Sequence, residues 1–162
     1  MRGGPLPAAL TEARRPDDFA DARVLFREYA AELGVDLCFQ GFEAELDRLP
    51  DLYCAPAGCL LIARADERPV GCGALRRLSD EVCEMKRLYV RAEARGTGLG
   101  RILAECLIAT GRALGYARMR LDTLARLAAA RQLYRSLGFA EIAPYYDNPL
   151  ADVVFMELEL LR

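Results

Sequence analysis

Three apolar or alternating runs, residues 58–65, 69–78 and 81–90, follow one another with almost nothing between them. Ala65-Asp66-Glu67-Arg68 and Ser79-Asp80 are connections tight enough for hairpins, so the middle of the chain is expected to be an antiparallel meander. The segments around it must then supply the layers that cover this sheet, and their period changes accordingly.

Over residues 17–33, Phe19, Ala22, Phe26, Tyr29 and Leu33 fall on one helical face. Asp17 and Asp18 suit the positive end of that helix, and Gly34 supplies its stop. A shorter helix over 40–49 turns Phe42, Leu46 and Leu49 inward and ends at Pro50. Downstream, 99–114 carries the stripe Leu99, Leu103, Cys106, Leu107, Thr110 and Leu114, closed by Gly115. Residues 118–123 read as a short strand, 127–137 as a helix stopped by Gly138, and 152–160 as a last alternating strand. A further strand is expected near 10–15. The order predicts an α/β (α+β) fold, a mixed but mostly antiparallel sheet flanked by helices, with residues 1–162 as one domain.

Composition excludes several functions. A chain that is 53% hydrophobic and 28% charged is globular rather than disordered. A net charge of -2 offers neither a nucleic-acid groove nor a polybasic membrane patch. Without any histidine, Ser-His-Asp and Cys-His nucleophilic catalysis, His-ligated zinc and a histidine base are impossible for this chain alone. The six cysteines form no CxxC pair, and Cys59, Cys72, Cys83 and Cys106 lie in apolar runs. The N-terminal stretch has no apolar core of signal-peptide length. These features predict free thiols, a cytoplasmic location and no metal.

Arg95-Gly96-Thr97-Gly98-Leu99-Gly100-Arg101 follows a strand and opens a helix. Glycines permit positive φ, and successive amides at the positive end of a helix stabilise a phosphate. The alternative is a turn that merely fixes helix against sheet, but three alternate glycines between two arginines favour an anion site. No Walker sequence is present. A dinucleotide fingerprint would place its third glycine one residue later, although Asp122, 22 residues past Gly100, stands where a ribose-binding acid would. Further upstream, Cys83 and Met85 share one parity while Leu88 and Val90 have the other. That change of phase predicts a β-bulge near Lys86-Arg87 that splays the strand from a neighbour; the alternative is a strand end buried on both faces.

With Met85-Lys86-Arg87-Leu88-Tyr89-Val90 before the Arg95-x-x-Gly98-x-Gly100 loop, and Ala130-Arg131-Gln132-Leu133-Tyr134-Arg135-Ser136-Leu137-Gly138-Phe139 downstream, the chain resembles the GNAT superfamily of N-acetyltransferases from about residue 58 to its end. The resemblance implies acetyl-CoA as co-substrate. Its pyrophosphate would lie on the amides of Arg95 through Arg101, and its pantetheine arm along Leu88, Tyr89 and Val90. Tyr134 would be the acid that protonates the departing thiolate, a role its phenol suits, against the alternative that it only fills the core. Glu84 is the candidate general base, against a cross-strand pair with Lys86 or Arg77. Leu127 stands where family members often carry an asparagine that contacts the pantetheine. Pro144-Tyr145-Tyr146-Asp147-Asn148-Pro149, the 40–49 helix and Tyr53 are candidate walls of an acceptor pocket.

The expected reaction is direct attack by a primary amine on the thioester in a ternary complex, without metal. The acceptor would be a small-molecule amine or a protein N-terminus, with nucleic acid and membrane excluded as partners and the assembly open between monomer and homodimer. Two rivals remain at this point, a non-catalytic acyl-CoA-binding sensor and a dinucleotide-dependent oxidoreductase.

Overall fold

The computed structural model describes residues 8–38 and 41–161. In chain order its elements are β1 Ala9–Glu12, α1 Pro16–Leu33, α2 Phe42–Asp47, α3 Leu49–Leu52, β2 Cys59–Ala65, β3 Arg68–Arg77, β4 Val82–Val90, α4 Leu99–Ala113, β5 Arg118–Leu124, α5 Ala128–Ser136, β6 Ala140–Ile142 and β7 Val153–Glu159. The strands form one sheet in the order β1-β2-β3-β4-β5-β7-β6. Of its pairings, β4–β5 alone is parallel. The dinucleotide reading needs a series of parallel βαβ units and falls on this topology.

The meander is covered on both faces, which explains its near-continuous apolar runs. Leu61, Ala63, Leu75 and Met85 pack with Leu99, Leu103 and Leu107 of α4. Leu60, Ile62, Cys72 and Ala74 meet Phe19, Leu25 and Phe26 of α1 and Leu46 and Leu49 beyond it. Each fully buried leucine or isoleucine contributes about 1.5–3 kcal/mol. Among the described residues no helix is long and apolar enough to cross a membrane.

The helix ends follow local chemistry. Pro16 begins α1, where its missing N–H costs nothing. Asp18 accepts from the Arg14 and Arg15 amides at 3.0 Å each. These bonds, with Arg64 behind them, hold its carboxyl below the usual range. Gly34 ends the helix at φ 68°.

Three expectations need correction. Pro50 does not stop the second helix. Arg48 breaks it, and Pro50 sits inside the separate turn α3, whose opening positions tolerate proline. The 40–49 prediction also begins on Gln40, which lies outside the described residues. The first strand is earlier and shorter than 10–15: Ala13 still donates to the Leu60 carbonyl at 2.8 Å, but the Arg14 and Arg15 amides turn to Asp18 at the start of α1. Finally, β6 was not expected at all; its three residues carry no alternation and owe their strand form to β7.

Candidate active site

β4 divides into two halves. Val82, Cys83 and Glu84 pair with β5 on one edge while β3 runs along the other. From Met85 onward β5 no longer follows; it stays with β7 to Leu124. A bulge accompanies the parting. Cys72 faces Tyr89 and Ala74 faces Lys86, so β4 holds one extra residue between these pairs, and Arg87 takes φ 59°. A non-glycine residue in the left-handed region costs about 1–2 kcal/mol. The bulge expected from the phase change is therefore present at the expected residues. It leaves the β5-facing edge of the later half of β4 exposed to a cleft.

The glycine loop closes one end of that cleft. Gly96 and Gly98 have φ of 77° and 83°, and Gly98 caps α4. Every main-chain N–H from Gly96 to Arg101 donates to no described residue, a run of idle donors at the positive end of a helix. Such a run fits an anion with several oxygens, as a pyrophosphate has. Between this loop and α5 lies a groove of about 390 Å³, bounded by Leu88, Tyr89, Val90, Gly100, Leu133 and Tyr134. At its inner end a smaller cavity of about 70 Å³ runs between β4 and β5. The two meet at Leu88, Leu127 and Tyr134.

Tyr134 is buried against Phe139, ring centroids 5.8 Å apart. Its hydroxyl makes no hydrogen bond to a described residue. Burial, with the nearby Tyr29 and Asp122, raises its pKa well above the ordinary phenol value, so it holds its proton across the physiological range.

Residues 23–139 match the Acetyltransferase (GNAT) family. An uncharacterized N-acetyltransferase of Schizosaccharomyces pombe is 41% identical over 160 residues, covering 98% of each chain. The chain belongs to the GNAT acetyltransferase family. A crystallised acetyltransferase from Streptococcus agalactiae shares the fold at TM-score 0.79 and 24% identity, over 94% of this chain and 98% of that one. A Salmonella typhimurium structure described as a putative acetyltransferase with acetyl-CoA aligns at TM-score 0.68 and 23% identity, over 96% and 95%.

Within this GNAT fold the expected site residues fall into two groups. Leu88, Tyr89, Val90, Gly100 and Tyr134 converge on the groove, and the loop amides cap it. The loop arginines already have partners, although Arg95 also lines the groove. Arg95 folds back to the Val90 carbonyl at 2.9 Å and pairs with Glu32. Arg101 bonds Ser136 and Glu105. Leu127 occupies the cap of α5 without a side-chain bond and lines both spaces.

Glu84, buried to 1% exposure, stands outside the cavity lining. One oxygen accepts from Arg76 Nε at 2.8 Å and the other from the Tyr145 hydroxyl at 2.6 Å. Lys86 Nζ is 3.6 Å from the first. The cross-strand cation is thus Arg76, which the register places opposite Glu84; Arg77 faces Cys83 and pairs with Asp80. The carboxylate that does line the inner cavity is Asp122, which accepts from the Tyr146 hydroxyl at 2.5 Å while Asn148 donates to that hydroxyl at 2.8 Å. Its place at the end of the predicted 118–123 strand, 22 residues past Gly100, was the available sequence signal, read there as a ribose contact. Cys83 lies on the α4 side, its thiol pushed up to about 12 by burial, which leaves no ready thiolate.

Proposed function

We propose that this chain, as one domain, transfers the acetyl group of acetyl-CoA to a primary amine by direct attack within a ternary complex. The observation that carries the reading is the cleft itself. Idle amides stand at one end, an exposed strand edge runs along its side, and a proton-holding phenol sits where groove and inner cavity meet. The Salmonella neighbour described with acetyl-CoA supports the choice of acyl donor.

Gly96 to Arg101 would hold the pyrophosphate through main-chain N–H groups, and Leu88 to Val90 would lie along the pantetheine arm with the β4 edge. Bound there, the thioester supplies an activated acyl group. Amides of the Leu88–Val90 segment would polarise the carbonyl. Tyr134 would donate its proton toward the sulfur as thiolate charge develops. The proton acceptor expected in Glu84 passes, in this reading, to Asp122, because Asp122 lines the cavity and Glu84 does not. Glu84 then serves as counter-ion to Arg76 and Lys86. The size of the inner cavity favours a small-molecule amine over a protein N-terminus.

The test is initial-rate kinetics with acetyl-CoA and a panel of amines, reading released thiol. Intersecting double-reciprocal lines are expected; parallel lines would indicate a covalent acyl-enzyme and overturn direct attack. Asp122→Asn should lower turnover most at low pH, where the free amine is scarcest. An unchanged pH profile would return the proton to solvent.

A further inference from the structure

We propose that the acceptor is an amino acid or a close relative of one, and that Lys86 is the anchor for its carboxylate. The proposal rests on the acetyl-transfer reading above and specifies what that site accepts.

Lys86 is the sole lysine in a chain with 22 cationic residues. Its side chain is only 6% exposed and lines the inner cavity. It donates no hydrogen bond to any described residue. Its one ion-pair partner, Glu84, is 3.6 Å away, beyond good hydrogen-bond length, and already serves Arg76 and Tyr145. A buried ammonium whose one ion-pair partner among the described residues is a shared carboxylate at 3.6 Å is costly unless something else completes it. Burial accordingly lowers its pKa, and a bound anion would reverse that shift. The other charged groups of this wall do not compete for the same ligand. Arg87 is consumed by Glu45 through two bonds of 3.0 and 2.8 Å.

The cavity is also polar in a particular direction. Lys86 belongs to the β4 wall and Asp122 to the β5 wall. An acceptor with an amine at one end and a carboxylate at the other matches that arrangement, with its nitrogen toward Asp122 and its carboxylate toward Lys86. A simple alkylamine would fill the space and leave the ammonium as it is. Sites built to bond a polar group discriminate strongly against analogues that lack it.

The test uses the common amino acids, each beside its own carboxamide, which keeps the volume and removes the charge. With saturating acetyl-CoA, the wild type should favour at least one carboxylate over its carboxamide by about 10²-fold in kcat/KM. Lys86→Met should bring that ratio to within about 3-fold of unity, and Lys86→Arg should restore part of it. The loss should appear in KM more than in kcat. Equal activity on carboxylates and carboxamides, or an equal loss on both in Lys86→Met, would overturn the proposal; the latter would make Lys86 a base or a structural residue. A binding arm separates this inference from the acetyl-transfer reading. If no amine is turned over, yet the same amino acid raises the melting temperature of the wild type and not of Lys86→Met, the carboxylate site stands and the transfer reading fails. If neither turnover nor stabilisation favours any carboxylate, the proposal is wrong.

Discussion

Lys86 and Arg87 are neighbours on one bulge, carry the same charge and are almost equally buried, with side chains 6% and 4% exposed. Their surroundings differ completely. Arg87 is gripped by both oxygens of Glu45 and lies over the rings of Phe42 and Tyr29, at 5.2 and 5.9 Å. Lys86 has a shared carboxylate at 3.6 Å and an open cavity. The same contrast separates other polar groups. Asp18 is bonded from three sides, whereas the Tyr134 hydroxyl meets no described partner. Completed charges hold the scaffold in place, and incomplete ones that face a cleft await a ligand. Substitutions of the first kind should cost stability, and those of the second should cost catalysis or selectivity.

The largest expected effect is on the completed side. Glu45→Ala strands the Arg87 guanidinium in the interior and should lower unfolding stability by about 3–5 kcal/mol. Urea denaturation checks this. Converting both members to apolar residues, Glu45→Leu with Arg87→Met, should recover most of the loss, since a well-packed apolar pair avoids the desolvation of two charges. A single variant as stable as the wild type would show that Arg87 finds water, and the contrast with Lys86 would collapse.

Next is the incomplete side. Tyr134→Phe should reduce kcat about 10²-fold with the melting temperature unchanged or raised. Because burial raises the phenol's pKa, the wild type keeps this proton through the neutral range and the ratio of wild-type to variant rate should not change with pH there. A loss confined to stability would make Tyr134 a core residue only.

The contrast between the two cations was partly visible in the sequence. The bulge follows from the change in apolar parity between Met85 and Leu88, and the loop follows from its glycines, because both are local backbone signals. The helices at 16–33 and 99–113 were legible for the same reason. What completes a charge is not local. Glu45 lies 42 residues before Arg87, and Tyr145 lies 61 residues after Glu84. Which carboxylate faces the cavity depended on where β4 and β5 part, and this placed Asp122 there and Glu84 behind it. β6 escaped notice on the same ground, since its strand form comes from its neighbour rather than its residues.

A smaller effect, with a pH signature, is expected at Asp18. Its pKa is depressed in the folded state, chiefly by the Arg14 and Arg15 amides and then by Arg64. Its stabilisation is therefore complete above the unfolded value, about 3.9, and is lost as pH falls through the lower folded value. Asp18→Asn should cost about 1–2 kcal/mol near neutrality, and the gap from wild type should close as pH falls below about 4. A gap that stays constant into acid would mean that shape rather than charge does the holding.

The smallest effect tests the rule where it is most exposed to failure. Tyr53 is fully buried and its hydroxyl has no partner in hydrogen-bond geometry, although it lies near enough to the Glu45 carboxylate to help lower that group's pKa. By burial alone it resembles Tyr134. It lines neither the groove nor the inner cavity, and its ring packs edge-on against Phe26 at 6.2 Å. If an incomplete polar group acquires a role only where a ligand can reach it, Tyr53→Phe should leave turnover within about 2-fold and change stability by less than about 1 kcal/mol. A loss of turnover comparable to that of Tyr134→Phe would show that the proton path extends beneath the sheet toward Glu45, and access to the cleft would cease to be what distinguishes the two tyrosines.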